Sequence, residues 1–161
     1  NGISLGGVDA NLGLYATMEL WIRTNDQDGS ILTKRHDAAD SSVGLDIEGG
    51  RICYYAHGPA HSSLNHTEMR INDGVWHHIA AVKLVDRLNV YVDGKLAGPS
   101  ITIQPDNLSK TAWHLGYMMV EQQSPLTATY ARIRISSIAR YHFAFEPQLD
   151  YGADAATLLF R

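Results

Sequence analysis

Leu88-Asn89-Val90-Tyr91-Val92-Asp93-Gly94-Lys95-Leu96 reads as a strand, a two-residue turn and the start of a returning strand. Leu88, Val90 and Val92 alternate with Asn89 and Tyr91, the period-two pattern of a strand with one face in a core. Asp93-Gly94 is a hairpin signal, because both central residues of a type I′ turn take positive φ. The pattern recurs along the chain. Ala16, Met18, Leu20 and Ile22 alternate with Thr17, Glu19, Trp21 and Arg23. Leu45 and Ile47 alternate with Asp46 and Glu48, and Gly49-Gly50 turns the chain into a strand over 51–57. Ala131, Ile133 and Ile135 alternate with Tyr130, Arg132 and Arg134.

Further strands are predicted over 3–6, 30–35, 67–71, 76–84, 112–117 and 157–160, and a helical period is nowhere sustained. Short strands with Gly, Asn and Asp at the breaks predict an all-β, antiparallel two-sheet jelly-roll sandwich. The 161 residues suit one domain over 1–161 with a substantial core. Composition is ordinary, with 45% hydrophobic and 19% charged residues. The net charge of −4 argues against a nucleic-acid partner, which needs a basic stripe. No apolar run reaches the length of a membrane span. Starting at Asn1 rather than methionine, the chain reads as a mature or excised piece. The single cysteine, Cys53, excludes an internal disulfide scaffold and a zinc site built on cysteines, and reads as a small buried hydrophobe.

Four segments in order resemble the laminin-G-like, concanavalin A-like domains. They are Ala16-Thr17-Met18-Glu19-Leu20-Trp21-Ile22-Arg23; Asp73-Gly74-Val75-Trp76-His77-His78-Ile79-Ala80-Ala81-Val82; Val90-Tyr91-Val92-Asp93-Gly94-Lys95-Leu96; and Arg132 through Tyr141, followed by Phe145-Glu146-Pro147. The resemblance implies a jelly-roll sandwich and a secreted or cell-surface setting within a larger extracellular protein. It implies calcium near the start of the sandwich, with Asp9 at an acidic position of the family's opening segment. Ala10 replaces the second acid there, and the closing strand has lost both of its acids. The fold hosts lectins, adhesion domains and some hydrolases, so function has to be argued from a site.

Trp76 follows the Asn72-Asp73-Gly74 turn and is expected to plug the end of the sandwich. His77 and His78, adjacent on a strand, point to opposite faces and read as structural. Asp46 and Glu48 share a strand face, as hydrolase carboxylates do, but Gly44 stands where a third acid would complete the pattern, so a polar face is the reading preferred. The stretch 57–66 reads as a polar rim loop. Its His57, His61, Asn65 and His66 are short groups able to match sugar hydroxyls, and its histidines are also weighed as zinc ligands. Trp21, Tyr55, Trp113 and Tyr117 are the aromatics on which a pyranose could stack. The expected function is non-catalytic glycan recognition. The alternative is a protein-interaction or assembly domain of an adhesin, filament or phage structure, with a polysaccharide hydrolase third.

Overall fold

A computed structural model describes residues 2–35, 41–58, 61–104, 110–117 and 125–161, apart from the side chain of His61. The strands are β1 (Ile3–Gly6), β2 (Tyr15–Thr24), β3 (Gly29–Lys34), β4 (Ser42–Glu48), β5 (Arg51–Gly58), β6 (His61–Arg70), β7 (His77–Leu84), β8 (Arg87–Val92), β9 (Lys95–Leu96), β10 (Ile101–Thr102), β11 (Trp113–Leu115), β12 (Ala128–Ser136) and β13 (Thr157–Phe160). A six-stranded sheet runs β1-β11-β3-β4-β5-β6, and a seven-stranded sheet runs β10-β8-β7-β2-β12-β13 with β9 beside β8. Every pairing is antiparallel. Among the described residues no helix is long and apolar enough to cross a membrane. The expected two-sheet sandwich is what the chain forms.

The alternating apolar residues meet between the sheets. Met18, Leu20 and Ile22 of β2 pack in one core with Leu45 and Ile47 of β4 and Val90 of β8, all fully buried. Two-residue turns set the registers of the hairpins. Asp93 and Gly94 have φ of 49° and 76° and Gly49 and Gly50 have φ of 55° and 79°, the paired positive values of a type I′ turn.

Three expectations fail here. β12 does not alternate evenly: Tyr130 pairs with Ile22 and Ala131 with Trp21, but Arg134 pairs with Glu19. Arg132 and Ile133 therefore oppose Leu20 alone, a β-bulge with Arg132 at φ 53°, and a bulge switches the side-chain parity. Tyr130 packs against the core on one side of it, and Ile133 and Ile135 on the other. Ala131 shares the outward face with Trp21. Trp76 precedes β7, is 38% exposed, and lies under the Arg23 guanidinium at 5.3 Å instead of plugging the sandwich. The stretch 57–66 is the β5–β6 hairpin, with His57 paired to Ser62 and Gly58 to His61.

His77 shows why the strand that follows Trp76 is structural. Its Nδ1 lies 2.7 Å from Asp93 Oδ2 and its Nε2 lies 3.1 Å from Asp73 Oδ1, while Asp93 Oδ1 accepts the His78 amide at 2.9 Å. Burial opposes protonation of His77, but the two aspartates outweigh it and hold the imidazole above its usual value of 6.5. A raised folded pKa adds stability that is complete below the unfolded value and lost as pH climbs through the folded one. Melting temperature should therefore decline as pH rises above the ordinary imidazole value of 6.5, and His77→Gln should flatten that decline. An equal slope in the variant would remove His77 from the account.

Candidate functional site

A sandwich has two outer faces, and here they are built differently. On the seven-stranded sheet, β2 turns Glu19 and Trp21 outward, β7 adds His78, Ala80 and Val82, β8 adds Tyr91, and β12 adds Arg134. The segment 139–151 lies across this face. The Phe145 amide donates to Gly94 O at 3.0 Å, and Ala139, Tyr141 and Phe145 pack on Ala80, Val82 and Tyr91. The Tyr141 and Phe145 rings stack at 3.6 Å.

Beneath that strap Glu19 is fully buried and ion-paired. Arg134 Nε donates to Oε1 at 2.8 Å, and Tyr141 Oη donates to Oε2 at 2.7 Å. His78 Nε2 stands 3.3 Å from Oε2, an ion-pair distance whose alignment falls short of a hydrogen bond. Burial works against ionisation, but the His78, Tyr141 and Arg134 partners overcome it, so the Glu19 carboxyl sits below the usual carboxylate range. Trp21, expected on an exposed sheet face, donates Nε1–H to Gln148 O at 3.2 Å and sets its ring edge-on to His78 at 5.2 Å. The strap half-covers it.

The other face is open along its β6 side. Paired residues across an antiparallel ladder share a face. The register therefore places Gly44 beside Tyr55, Asp46 beside Cys53, Cys53 beside His66, Tyr55 beside Leu64 and His57 beside Ser62, all outward. Leu64 is 55% exposed, and Ser62 and Glu48 are exposed too. Tyr55, expected to stack on a sugar, is buried at 4% exposure; its ring backs that of half-buried His57 at 5.2 Å with 28° between planes, so His57 is the ring a ligand can reach. Burial, then the nearby Arg35 charge, hold the His57 imidazole below 6.5. It is neutral at neutral pH and able to donate from one ring nitrogen and accept at the other.

Asp46 and Glu48 do share this face, and burial, with the Glu48 charge adding, pushes the Asp46 carboxyl up to about 7. The position that would carry a third acid is closed. A Cβ on Gly44 would run into the Tyr55 hydroxyl and ring, so Tyr55 occupies the space that any side chain there would need.

The remaining candidates scatter. Asn65 pairs with Tyr54, the core-facing residue of β5, and so lies on the opposite side of β6 from His66. Its Oδ1 accepts the His66 amide at 2.8 Å. Parity on a strand separates two residues that a loop could have brought together. The His61 side chain lies outside the described residues. Trp113 is fully buried, with Nε1–H donated to Ala10 O at 2.8 Å, so it is a core residue that no ligand reaches. Tyr117 sits at the far side of the sheet, edge-on to His114 at 5.0 Å and against Gly2. His57 and His66 do share the outward face, but His66 Nε2 pairs with Glu48 Oε2 at 2.7 Å. Sequence reasoning missed Leu64, which a strand reading of 61–66 would have placed on that face.

The residues around Asp9 do not fit calcium. Asp9 is exposed, and the neighbouring carbonyls of Gly7, Val8 and Thr111 accept the Lys34 ammonium at 3.2, 2.8 and 2.7 Å. Lys34 is fully buried, with its charge 5.7 Å from the Trp113 ring. A side-chain cation already uses the oxygens that a calcium ion, with its 6–8 ligands, would have to recruit.

Comparison with known proteins places this geometry. A family model described as the concanavalin A-like lectin/glucanases superfamily matches residues 2–142. No curated protein sequence matches the chain. Among solved structures, domains LG4-5 of the mouse laminin α1 chain superpose with a TM-score of 0.73 at 17% identity, covering 86% of this chain and 40% of that one. Domain 4 of an extracellular arabinanase from Geobacillus stearothermophilus, in complex with arabinotriose, gives 0.60 at 18% identity, covering 80% and 63%. A heptameric SAP-like pentraxin from Limulus polyphemus gives 0.58 at 15% identity, covering 81% and 68%. The chain spans less than two thirds of the laminin and arabinanase chains, and identities this low speak for the fold alone.

Proposed function

From the premise that this chain belongs to the concanavalin A-like lectin/glucanases superfamily, we propose that it is a non-catalytic carbohydrate-binding module of a secreted or cell-surface protein, one part of a larger extracellular chain. One observation carries the reading. One outer face is strapped shut by 139–151, while on the other half-buried His57, backed by the buried Tyr55 ring, stands beside exposed Ser62 and Leu64. A neutral imidazole and a hydroxyl match sugar hydroxyls, and an aliphatic side chain matches the apolar face of a pyranose. The arabinanase domain, a neighbour in fold, has arabinotriose in its complex. A glycan-array screen with and without added calcium tests this reading. Binding should be found, and a chelator should not abolish it, given the Lys34 ammonium among the carbonyls near Asp9.

The Tyr55 side chain over Gly44 supports the absence of catalysis, because it leaves Asp46 and Glu48 without a third acid. The protein should release no reducing ends from a panel of polysaccharides. Hydrolysis that vanishes in the double variant Asp46→Asn, Glu48→Gln would make it an enzyme instead.

A protein-assembly role has its own supporting observation. β6 is an edge strand, and a groove lined by Met69, Val92, Leu96 and Ala97 runs beside it. Met69 is 41% and Leu96 59% exposed, and unpaired edges with apolar neighbours favour strand addition. Concentration-dependent self-association abolished by Leu96→Lys, with no glycan bound on the array, would favour this second reading.

A further inference from the structure

The sole cysteine faces outward among residues of quite different chemistry. Cys53 is a free thiol, 3% exposed. Directly across the ladder on one side is His66, and on the other is Asp46, with Glu48 two residues further along β4. The sulfur of Cys53, a ring nitrogen of His66 and a carboxylate oxygen of Glu48 lie within 4.8 Å of one another. Asp46, directly across from Cys53, is the neighbouring candidate for a fourth donor. Its Oδ1 is shielded from water with no hydrogen-bond partner among the described residues, a costly state for a buried acceptor.

We propose that Glu48, Cys53 and His66, with Asp46 beside them, form a binding site for a borderline divalent transition metal, zinc above all. The donors are one sulfur, one nitrogen and carboxylate oxygens, the ligand set of tetrahedral zinc rather than of calcium or magnesium, which take oxygen alone. They stand on three adjacent strands, so the sheet supplies the rigidity that a loop of histidines would lack. Zinc bonds of about 2.0–2.3 Å put tetrahedral donors about 3.3–3.8 Å apart, so no pair of the cluster needs to close by more than about 1.5 Å, and the His66–Glu48 pair has to open from 2.7 Å. The ion would replace the 2.7 Å contact of His66 with Glu48. Cys53 would bind as thiolate, giving its proton to solvent, and the neighbouring carboxylates would neutralise the metal. Without an ion, burial and the Glu48 and Asp46 charges work together to hold the thiol up at about 12, and a divalent cation reverses that field. A single cysteine excludes a zinc centre made of cysteines, but not one in which strand register brings the other ligands. The proposal goes beyond the glycan reading and does not depend on it.

The test is direct binding of the metal itself. Metal-stripped, reduced protein is titrated with zinc chloride against a competing chelator, and with cobalt chloride followed by absorption. One equivalent of each should bind, and cobalt should give the intense visible bands of a tetrahedral site with a sulfur-to-cobalt charge-transfer band in the near ultraviolet. Cys53→Ser should abolish the charge-transfer band and weaken zinc by at least about a hundredfold. His66→Gln and Glu48→Gln, at positions with side chains 37% and 55% exposed, should leave the fold intact and each weaken zinc by at least about tenfold. They keep the proposal open to refutation should the buried Cys53 variant fail to fold. Absence of zinc binding, a cobalt spectrum without the thiolate band, or unchanged affinity in both surface variants would overturn it.

Discussion

Glu19→Ala should lower the melting temperature by roughly 6–20 °C. Breaking a buried ion pair costs about 3–5 kcal/mol, and about 2–4 °C is lost per kcal/mol in a domain of this size. The cost arises because Arg134, Arg140 and His78 all converge on one carboxylate, and Arg134 and His78 are buried with it. Segment 139–151 should become sensitive to proteolysis in the same variant, since Tyr141 loses its acceptor. The Glu19 carboxyl lies below its ordinary 4.5. A depressed folded pKa contributes stability present above the unfolded value and lost as pH falls through the folded one. Part of the wild-type acid denaturation should therefore be missing in Glu19→Ala. A melting temperature within about 2 °C of wild type, too small for a buried-pair loss, would show that the network does not hold the strap.

Gly94→Val carries the second large effect, a loss of about 2–4 kcal/mol. Gly94 sits at φ 76°, where a β-branched residue is strained. A Cβ there would also strike the carbonyl of Phe145, which is where the strap is tied to the hairpin through the Phe145 amide and Gly94 O. The substitution acts twice, on the turn and on the strap. Asp93→Asn, which tolerates positive φ and keeps an acceptor for the His78 amide, should cost much less. Equal melting temperatures for wild type and Gly94→Val would contradict the type I′ turn and its contact.

Period-two patterning made β2, β4, β5 and β8 legible, because a half-buried strand writes its face directly into the order of residues. The β12 bulge was not legible. Arg132 takes φ 53° with no glycine to announce it, and one inserted residue moves Ala131 to the other face. β6 was misread because His61-Ser62-Ser63-Leu64-Asn65-His66 has the composition of a loop. An edge strand with a solvated face needs no apolar alternation, so its pairing with β5 had to be seen. Trp113 was named as a surface aromatic because three residues of β11 are too few to show a period. Its burial comes from β1 and β3 on either side. Of the candidate site, the shared face of Tyr55 and His57 follows from the parity of the strand predicted over 51–57. The Glu48–Cys53–His66 cluster was hidden, since its members meet only through the register of three strands. The strap was hidden too, because what 139–151 covers depends on the outward residues of four other strands.

Titration calorimetry of the best array glycan against His57→Ala, with Trp76→Ala as the control on the other sheet, tests the central claim most directly. His57 lies outside the Glu48–Cys53–His66 cluster, so loss of metal cannot mimic loss of glycan contact. The account predicts at least about a tenfold weaker affinity for His57→Ala, a change of about 1.4 kcal/mol, at a nearly unchanged melting temperature, and wild-type affinity for Trp76→Ala. Full affinity in His57→Ala together with loss in Trp76→Ala would contradict it and move the site to the rim beside Arg23.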